Sequence, residues 1–373
     1  MNIYLDNTST KEILPECINA VQEIMINNWH NPSGLTQESK NAKKILYDCR
    51  MIIAKHINAD PSEIIFTSSG CESNSLALTG FLKAYSGYYL VIDQNSHASV
   101  INNPDTSNCL RVDNHGAIKE DEMIKFAELS NNLFSINGVN NETGTINNIK
   151  HLTYIAHNYG INNFIHIDGV QILGKLKIDV KDLDVDMMSF SGHKIGAPSG
   201  IGFLYVRKGI KLNPIIYGSQ EDGLRGGTEN LPYIVALAEA IKSININDNN
   251  NLKSTRQKFI DMLQSINECE VKINQSEKQM DSILSVTFIG IDAQSLLLYL
   301  DTQDIKCNTG SACNSFQYKP SHVLLNNGLS EKDALSTIRF TIDEMTDEEM
   351  IKVCKAIKDF CNITNLKEGW WRY

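Results

Sequence analysis

Apolar side chains recur every three to four residues over 11–27, where Ile13, Leu14, Cys17, Ile18, Val21, Ile24 and Met25 share one face and predict an amphipathic helix. The same spacing returns over 36–56 through Ala42, Ile45, Leu46, Cys49, Ile52 and Ile53. Asn31-Pro32-Ser33-Gly34 separates the two helices as a turn, and Asp60-Pro61-Ser62-Glu63 follows the second with turn and capping residues. The pattern then changes. Short apolar runs at 64–67, 88–92, 109–112, 133–139, 164–167, 185–190 and 201–206 read as strands, interleaved with helical patterns at 76–85, 121–129 and 151–158. Strands alternating with helices predict an α/β fold with an open, mainly parallel sheet and helices on both faces.

After a helix at 233–244, a connector rich in Asn and Asp at 245–251 marks a boundary. Beyond it, a helix at 252–266, strands near Val271 and at 283–288 and 337–341, and helices at 293–300 and 347–360 predict a smaller α+β unit. The expected division is a large domain over 12–249 and a small one made of 1–11 and 250–373. Residues 307–322 have no clear period and contain Thr309-Gly310-Ser311-Ala312-Cys313-Asn314. A loop that long is usually functional or disordered. No internal repeat is present.

Composition narrows the classes. The 373 residues are 42% apolar and 21% charged, enough for large packed cores. The net charge of -10, with no block of Lys and Arg, argues against nucleic acid as a ligand. The first residues do not read as a secretory signal, and no apolar run approaches a membrane span, so a cytoplasmic protein is expected. Nine cysteines without a Cys-x-x-Cys pair point to reduced thiols rather than a disulfide scaffold.

The candidate chemistry centres on Ser191-Gly192-His193-Lys194, which ends the apolar run at 185–190. An amine on a rigid strand-to-turn junction is suited to a Schiff base with a carbonyl cofactor, with Ser191 and His193 placed for a phosphate. A second small-residue turn, Ser68-Ser69-Gly70-Cys71-Glu72, runs from a strand into an apolar helix, so free backbone N–H groups there could hold an anion. It is neither a G-x-x-x-x-G-K-[ST] loop nor G-x-G-x-x-G, so neither ATP nor NAD is indicated. His97, Asn141, Asp168, Gln171 and Lys194 all fall at the carboxyl ends of predicted strands, where open α/β sheets bind ligands.

Taken in order, Tyr4-Leu5-Asp6-Asn7, Phe66-Thr67-Ser68, Val139-Asn140-Asn141-Glu142, Asp168-Gly169-Val170-Gln171, Ser191-Gly192-His193-Lys194, Leu224-Arg225-Gly226-Gly227-Thr228-Glu229-Asn230, Gly310-Ser311-Ala312-Cys313 and Ile338-Arg339-Phe340 resemble the motifs of the group I cysteine desulfurases. These are pyridoxal phosphate enzymes of fold type I within the class V aminotransferase family, and the resemblance covers nearly the whole chain.

The resemblance implies roles residue by residue. Lys194 is similar to the Schiff-base lysine, Asp168 to the partner of the pyridinium nitrogen, and Gln171 to the donor to the phenolic oxygen. His97 is similar to the imidazole that stacks on the ring and moves protons. Gly70, Cys71, Ser191 and His193 match the phosphate cradle, Cys71 standing where the family commonly has Thr and so replacing a hydroxyl by a weak thiol donor. Thr228 matches the residue that reaches the phosphate from a second subunit, which implies a homodimer. Asn141 and Arg339 resemble the groups that hold the substrate amino acid, and Cys313 the acceptor of its sulfur. The small domain would carry this catalytic-cysteine loop, and Cys307 reads as structural. The implied reaction turns L-cysteine into L-alanine and a persulfide, for a protein acceptor such as an iron–sulfur scaffold or a tRNA-thiolation protein. No resident metal is implied, only a transient contact of Cys313 with an iron–sulfur cluster.

The competing readings are a class V aminotransferase, a selenocysteine lyase, a non-catalytic scaffold, and a metal-binding protein using His151, His157, His166 and cysteines. An aminotransferase has no need of Cys313, and no zinc-type ligand spacing is present.

Overall fold

The computed structural model describes residues 2–246, 249–310 and 319–368, apart from the side chains of 249, 250 and 365–368. In chain order the strands are β1 (Ile3–Tyr4), β2 (Ile64–Thr67), β3 (Tyr89–Asp93), β4 (Thr106–Leu110), β5 (Asn132–Asn137), β6 (Phe164–Asp168), β7 (Met187–Ser191), β8 (Gly202–Val206), β9 (Val271–Asn274), β10 (Ile283–Phe288), β11 (Ile305–Lys306) and β12 (Thr337–Thr341). The helices are α1 (Pro15–Asn27), α2 (Gln37–His56), α3 (Gly70–Ala84), α4 (Ala98–Ile101), α5 (Glu120–Glu128), α6 (Ile149–Asn158), α7 (Leu231–Lys242), α8 (Asn249–Gln264), α9 (Ala293–Thr302), α10 (His322–Asn326), α11 (Glu331–Ala334) and α12 (Asp347–Glu368).

Seven strands form one sheet in the order β2-β8-β7-β6-β5-β3-β4. All of its pairings are parallel except those of β8, which runs antiparallel to both β2 and β7. Its strands are apolar on both sides, and successive residues feed two different cores. Ile64 and Phe66, Val91, Met188, Phe203 and Tyr205 pack into one with α1, α2 and α7. Ile65, Leu90 and Ile92, Met187, Leu204 and Val206 pack into the other with α3. The predicted mainly parallel sheet with helices on both faces is therefore what the chain forms.

A second, antiparallel sheet has the order β12-β10-β9 and its own core with α8, α9 and α12. The first residues join it. Ile3 pairs with Ile305 across β1 and β11, Leu5 packs into this core, and the Leu5 carbonyl accepts from Thr341 N at 2.8 Å. Residues 5–10 thus lie across the carboxyl end of the large sheet, which positions the site.

Several element boundaries differ from the sequence pattern, and at three the local structure gives the reason. α1 starts at Pro15, because Leu14 has extended backbone and its N–H goes to the Gly196 carbonyl at 2.9 Å. β4 lies at Thr106–Leu110, not 109–112, and its exposed positions hide it from a hydrophobicity reading. α3 begins six residues before the predicted start at 76. Ser69 caps it by accepting from Glu72 N at 3.1 Å, while the Glu72 carboxylate reaches back to Ser68 N at 2.7 Å.

Asp93, at the end of β3, is buried, and Oδ1 accepts from Asn95 N at 2.8 Å. Burial pushes its carboxyl up to about 7. Between the ordinary carboxylate range and that value the folded chain binds the extra proton, so stability falls as pH rises through that window. Melting curves at pH 5 and pH 8 should show the loss, on the order of 1–3 kcal/mol. Asp93→Asn should flatten it, and an unchanged slope in that variant would discount the effect.

Candidate active site

The carboxyl end of the large sheet holds a cavity of about 430 Å³, within the range of small-molecule sites. Its lining gathers residues that are far apart in sequence. Asp168 is the last residue of β6 and Ser191 the last of β7. His193 and Lys194 follow in a single 3₁₀ turn, Gly192–Lys194, which ends at Gly196 with φ +89°. Gly70 and Cys71 are the first residues of α3, and His97 is the N-cap of α4. Asn141 follows β5, Gln171 follows β6, and Arg339 is the central residue of β12. All of these line the one cavity, together with Gly310.

The Asp168 carboxylate is held at two points. Oδ1 accepts from Val170 N at 3.1 Å and Oδ2 from Asn74 Nδ2 at 2.9 Å. The same Asn74 amide donates to Ser99 Oγ at 2.9 Å, and Ser99 Oγ lies 2.8 Å from His97 Nδ1. Ser99 N also donates to His97 Nδ1 at 3.2 Å, so that nitrogen is an acceptor and the proton of the neutral ring sits on Nε2. A chain of hydrogen bonds therefore runs from Asp168 through Asn74 and Ser99 to His97. Neither Asn74 nor Ser99 stood out in the sequence. The available signal was spacing, since Asn74 sits one helical turn beyond Gly70 on α3.

The helix start supplies an anion site. The N–H groups of the first turn of α3 have no intrahelical acceptors, and Ser69, Gly70, Cys71, Ser191 and His193 surround that end of the cavity. A Cβ on Gly70 would lie 2.6 Å from Val170 Cγ2, so glycine lets the helix start approach the turn after β6 this closely. Burial and then the Lys194 charge push the His193 imidazole down to about 4, leaving a neutral ring there at pH 7.

Lys194 Nζ donates to the Thr8 and Ser9 carbonyls, each at 2.7 Å. Gln171 Nε2 also donates to Thr8 O, at 3.1 Å, and Gln171 Oε1 accepts from Lys175 Nζ at 2.6 Å. Lys175 was missed by the sequence reading although it lies four residues after Gln171. Arg339 is 2% exposed. Its Nη2 reaches Asp6 Oδ1 at 2.6 Å and Ser9 Oγ at 2.7 Å, and its Nη1 reaches the Asn141 carbonyl at 2.9 Å. Arg339 Nε and Asn74 Oδ1 are buried atoms without a partner among the described residues. Beside them, burial holds the Glu142 carboxyl above its ordinary range, and it accepts from Ser321 Oγ.

One predicted site residue is elsewhere. Thr228 is exposed and lines a separate cavity of about 200 Å³ with Thr67, Ser68 and Glu229. Cys313 lies outside the described residues. The histidines considered for a metal have separate partners. His151 pairs with Glu120, His157 with Asp184 and Asp186, and His166 is buried between Ser135 and Ser189. Among the described residues no helix is long and apolar enough to cross a membrane.

A Lys on a strand-end turn, a carboxylate one strand away and an anion cradle at a helix start, set on a mainly parallel sheet beside a small antiparallel unit, define a class of protein: the chain belongs to the aminotransferase class-V family, whose model matches residues 3–353. Within that family it belongs with the cysteine desulfurases. It is 33% identical to the cysteine desulfurase IscS of Methanosarcina thermophila, over 96% of this chain and 91% of that one. It is 32% identical to the cysteine desulfurase IscS of Dictyoglomus turgidum, over 99% and 98%. Among solved structures, a NifS-like protein superposes with a TM-score of 0.90 at 27% identity, covering 97% of this chain and all of that one. SspA in complex with cysteine superposes at 0.78 with 30% identity, covering 91% and 98%.

Proposed function

We propose that the cavity is the active site of a pyridoxal phosphate-dependent cysteine desulfurase, which moves the sulfur of L-cysteine onto Cys313 and releases L-alanine. The observation that carries the reading is the convergence of Lys194, Asp168, His97, Gln171 and Arg339 on one cavity whose rim is Gly310, three residues before Cys313. The cavity fits the cofactor on its own chemistry. The glycine-tight start of α3 is an anion cradle, and the buried Asp168 carboxylate is held by two donors. Two buried polar atoms, Asn74 Oδ1 and Arg339 Nε, still lack partners among the described residues.

Pyridoxal phosphate supplies an electrophilic carbonyl and an electron sink when bound. Lys194 is the amine that holds it and that moves the substrate α-proton, with His97 Nε2 as the neighbouring proton carrier. Asp168, kept in place by Asn74, would hold a proton on the ring nitrogen of the bound group, and Gln171 would orient its phenolic edge. Gly70, Cys71, Ser191 and His193 take the phosphate. Asn141 and Arg339 hold the substrate carboxylate, Arg339 Nε being a donor buried at the site. The Cys313 thiolate attacks the substrate sulfur. An S–S bond forms, the C–S bond breaks, and the carbon keeps the electron pair and takes a proton, which yields alanine.

The assembly we propose is a homodimer in which Thr228 reaches the partner's phosphate. The loop that carries Thr228 is tied to α2 by Arg50–Glu221 at 2.6 Å and to α3 by Arg225–Glu72 at 2.9 Å. The adjoining α1–α2 surface leaves Ile18, Met25, Trp29, Leu35 and Tyr47 exposed, an apolar area suited to a second subunit. The proposed division of the chain remains 12–249 and 1–11 with 250–373. A protein sulfur acceptor, with an iron–sulfur scaffold or a tRNA-thiolation protein as candidates, follows from the persulfide product. None of the eight described cysteines is in a disulfide, which supports a cytoplasmic setting.

The decisive experiment is a sulfide-release assay on the cofactor-loaded protein with L-cysteine and dithiothreitol, with alanine quantified in parallel. Sulfide and alanine in equal amounts are expected. Amino-group transfer to a keto acid without sulfide would overturn the reading in favour of an aminotransferase.

Two further outcomes are expected. Asn74→Ala removes the donor shared by Asp168 and Ser99, and should weaken cofactor retention by roughly tenfold, the worth of one buried hydrogen bond. Equilibrium dialysis against the cofactor reads it, and unchanged retention would remove Asn74 from the site. Light scattering should show a dimer, and Thr228→Ala should lower cofactor retention without dissociating it. A fully active monomer would sink the shared-site proposal.

A further inference from the structure

The small sheet and its helices hold a second pair of cysteines that the desulfurase reaction does not use. Cys269 lies in the segment between α8 and β9, and Cys361 in α12, 92 residues further on. Their sulfurs are 3.2 Å apart, with the Cys361 thiol donating to Cys269. Neither residue lines the cavity described above. The contact is fixed by its surroundings. One turn earlier on α12, Lys358 Nζ meets Glu268 Oε1 at 2.9 Å, so adjacent residues of the segment are held to adjacent turns of the helix. Exposure separates the two thiols, since Cys361 is buried and Cys269 partly open to solvent.

We propose that Cys269 and Cys361 are an oxidative modification site, closed to an intramolecular disulfide by hydrogen peroxide. Cys269 is the residue that solvent reaches, and Cys361 is the only described thiol the structure holds against it. The chemistry has the right polarity. The hydrogen bond from Cys361 lowers the Cys269 thiol below its ordinary range, and the same contact raises Cys361. Cys269 is therefore the readier of the two to ionise, and Cys361 holds the second proton. In the first step the Cys269 thiolate attacks one peroxide oxygen. An S–O bond forms, the O–O bond breaks, and the leaving oxygen departs as water after protonation. In the second the Cys361 sulfur attacks Cys269. The S–S bond forms, the S–O bond breaks, and the oxygen leaves as water with the Cys361 proton. Two thiols are oxidised by one peroxide, which is reduced to two waters. The sulfurs must close from 3.2 Å to about 2.05 Å, a small movement for two flexible side chains. The product closes a long loop across β9, β10 and β12, so it restrains the unfolded chain and should raise the melting temperature.

The experiment treats the cofactor-loaded protein with equimolar hydrogen peroxide, blocks remaining thiols and maps the peptides by mass spectrometry without reduction. The expected result is a linked Cys269–Cys361 peptide pair, lighter than the two separate peptides by two hydrogens and lost on adding dithiothreitol. A melting-temperature rise of several degrees should accompany it. In Cys361→Ala, which removes the resolving thiol, Cys269 should instead stop at the sulfenic acid, trapped as its dimedone adduct. Should that variant fail to fold, the wild-type map decides alone. Blocked, unoxidised thiols at both positions, Cys269 over-oxidised in the wild type, or a link to another cysteine would each overturn the proposal. None of these readouts depends on sulfide release, so the result stands or falls apart from the assignment of the cavity.

Discussion

Borohydride reduction of the cofactor-loaded protein should attach the cofactor covalently to Lys194, and Lys194→Ala should lose both the attachment and sulfide release. The expected loss of activity is roughly 10³-fold, since one group both holds the cofactor and moves a proton. Lys194 stands at the end of β7, in a turn whose neighbours fill the cavity, and its amine is oriented by the Thr8 and Ser9 carbonyls at 2.7 Å. Removing it costs the fold two hydrogen bonds, about 1 kcal/mol each, so the variant should stay folded and the loss be chemical. The structure also supplies the rival amine. Lys175 is half-buried beside Gln171, and desolvation pushes it down to about 7, so a good fraction is un-ionised near neutral pH. It lines the neighbouring cleft rather than the cavity. Cofactor found on Lys175 in the wild-type protein would overturn the assignment. Peptide mapping of the reduced protein distinguishes the two lysines.

What could be read from the sequence depended on whether a residue's role shows in local pattern. The strands at 283–288 and 337–341 turn Leu284, Val286, Phe288, Ile338 and Phe340 into the small core, and they fall where the pattern put them. The first turn of α3 was read as loop because Gly70, Cys71, Ser73 and Ser75 carry no large apolar group. The helix there is made by a cap and by packing against β7 and β8, which a periodicity scan does not see. Arg339 was legible as a lone charge in an apolar strand. Its tie to Asp6 was not, because 333 residues separate the partners and only the crossing of the N-terminal segment over the sheet joins them. The same holds for Asn74, a small polar residue in a helix whose two acceptors, Asp168 and Ser99, come from other elements. Thr228 illustrates the converse. Its motif was legible, yet its own chain leaves it in a separate cavity, so the role proposed for it requires a second subunit.

Cys313→Ser should produce a protein that still binds the cofactor and L-cysteine but releases almost no sulfide, a loss of at least roughly 100-fold. The step in question is attack on the substrate sulfur, and it needs an anion. A thiol is a few per cent ionised near pH 7, whereas a serine hydroxyl is essentially un-ionised there, so the substitution removes the nucleophile while keeping nearly the same shape. The nearby thiol cannot stand in for it. Cys307 packs against the core of the small sheet, where burial first and the Asp6 charge second raise it far above the ordinary thiol range. Cys307→Ala should therefore keep activity, which makes it the control for folding and cofactor loading. Cys71 lines the cavity, but it sits at the helix start proposed for the phosphate, so its substitution should weaken cofactor retention rather than stop sulfur transfer. The three variants thus separate by readout: sulfide for Cys313, neither for Cys307, cofactor affinity for Cys71. Mass spectrometry of the wild-type protein after one turnover, without reductant, should find the extra sulfur on the peptide that contains Cys313. Near-normal sulfide release from Cys313→Ser, or the added sulfur on a different cysteine, would end the desulfurase mechanism as proposed.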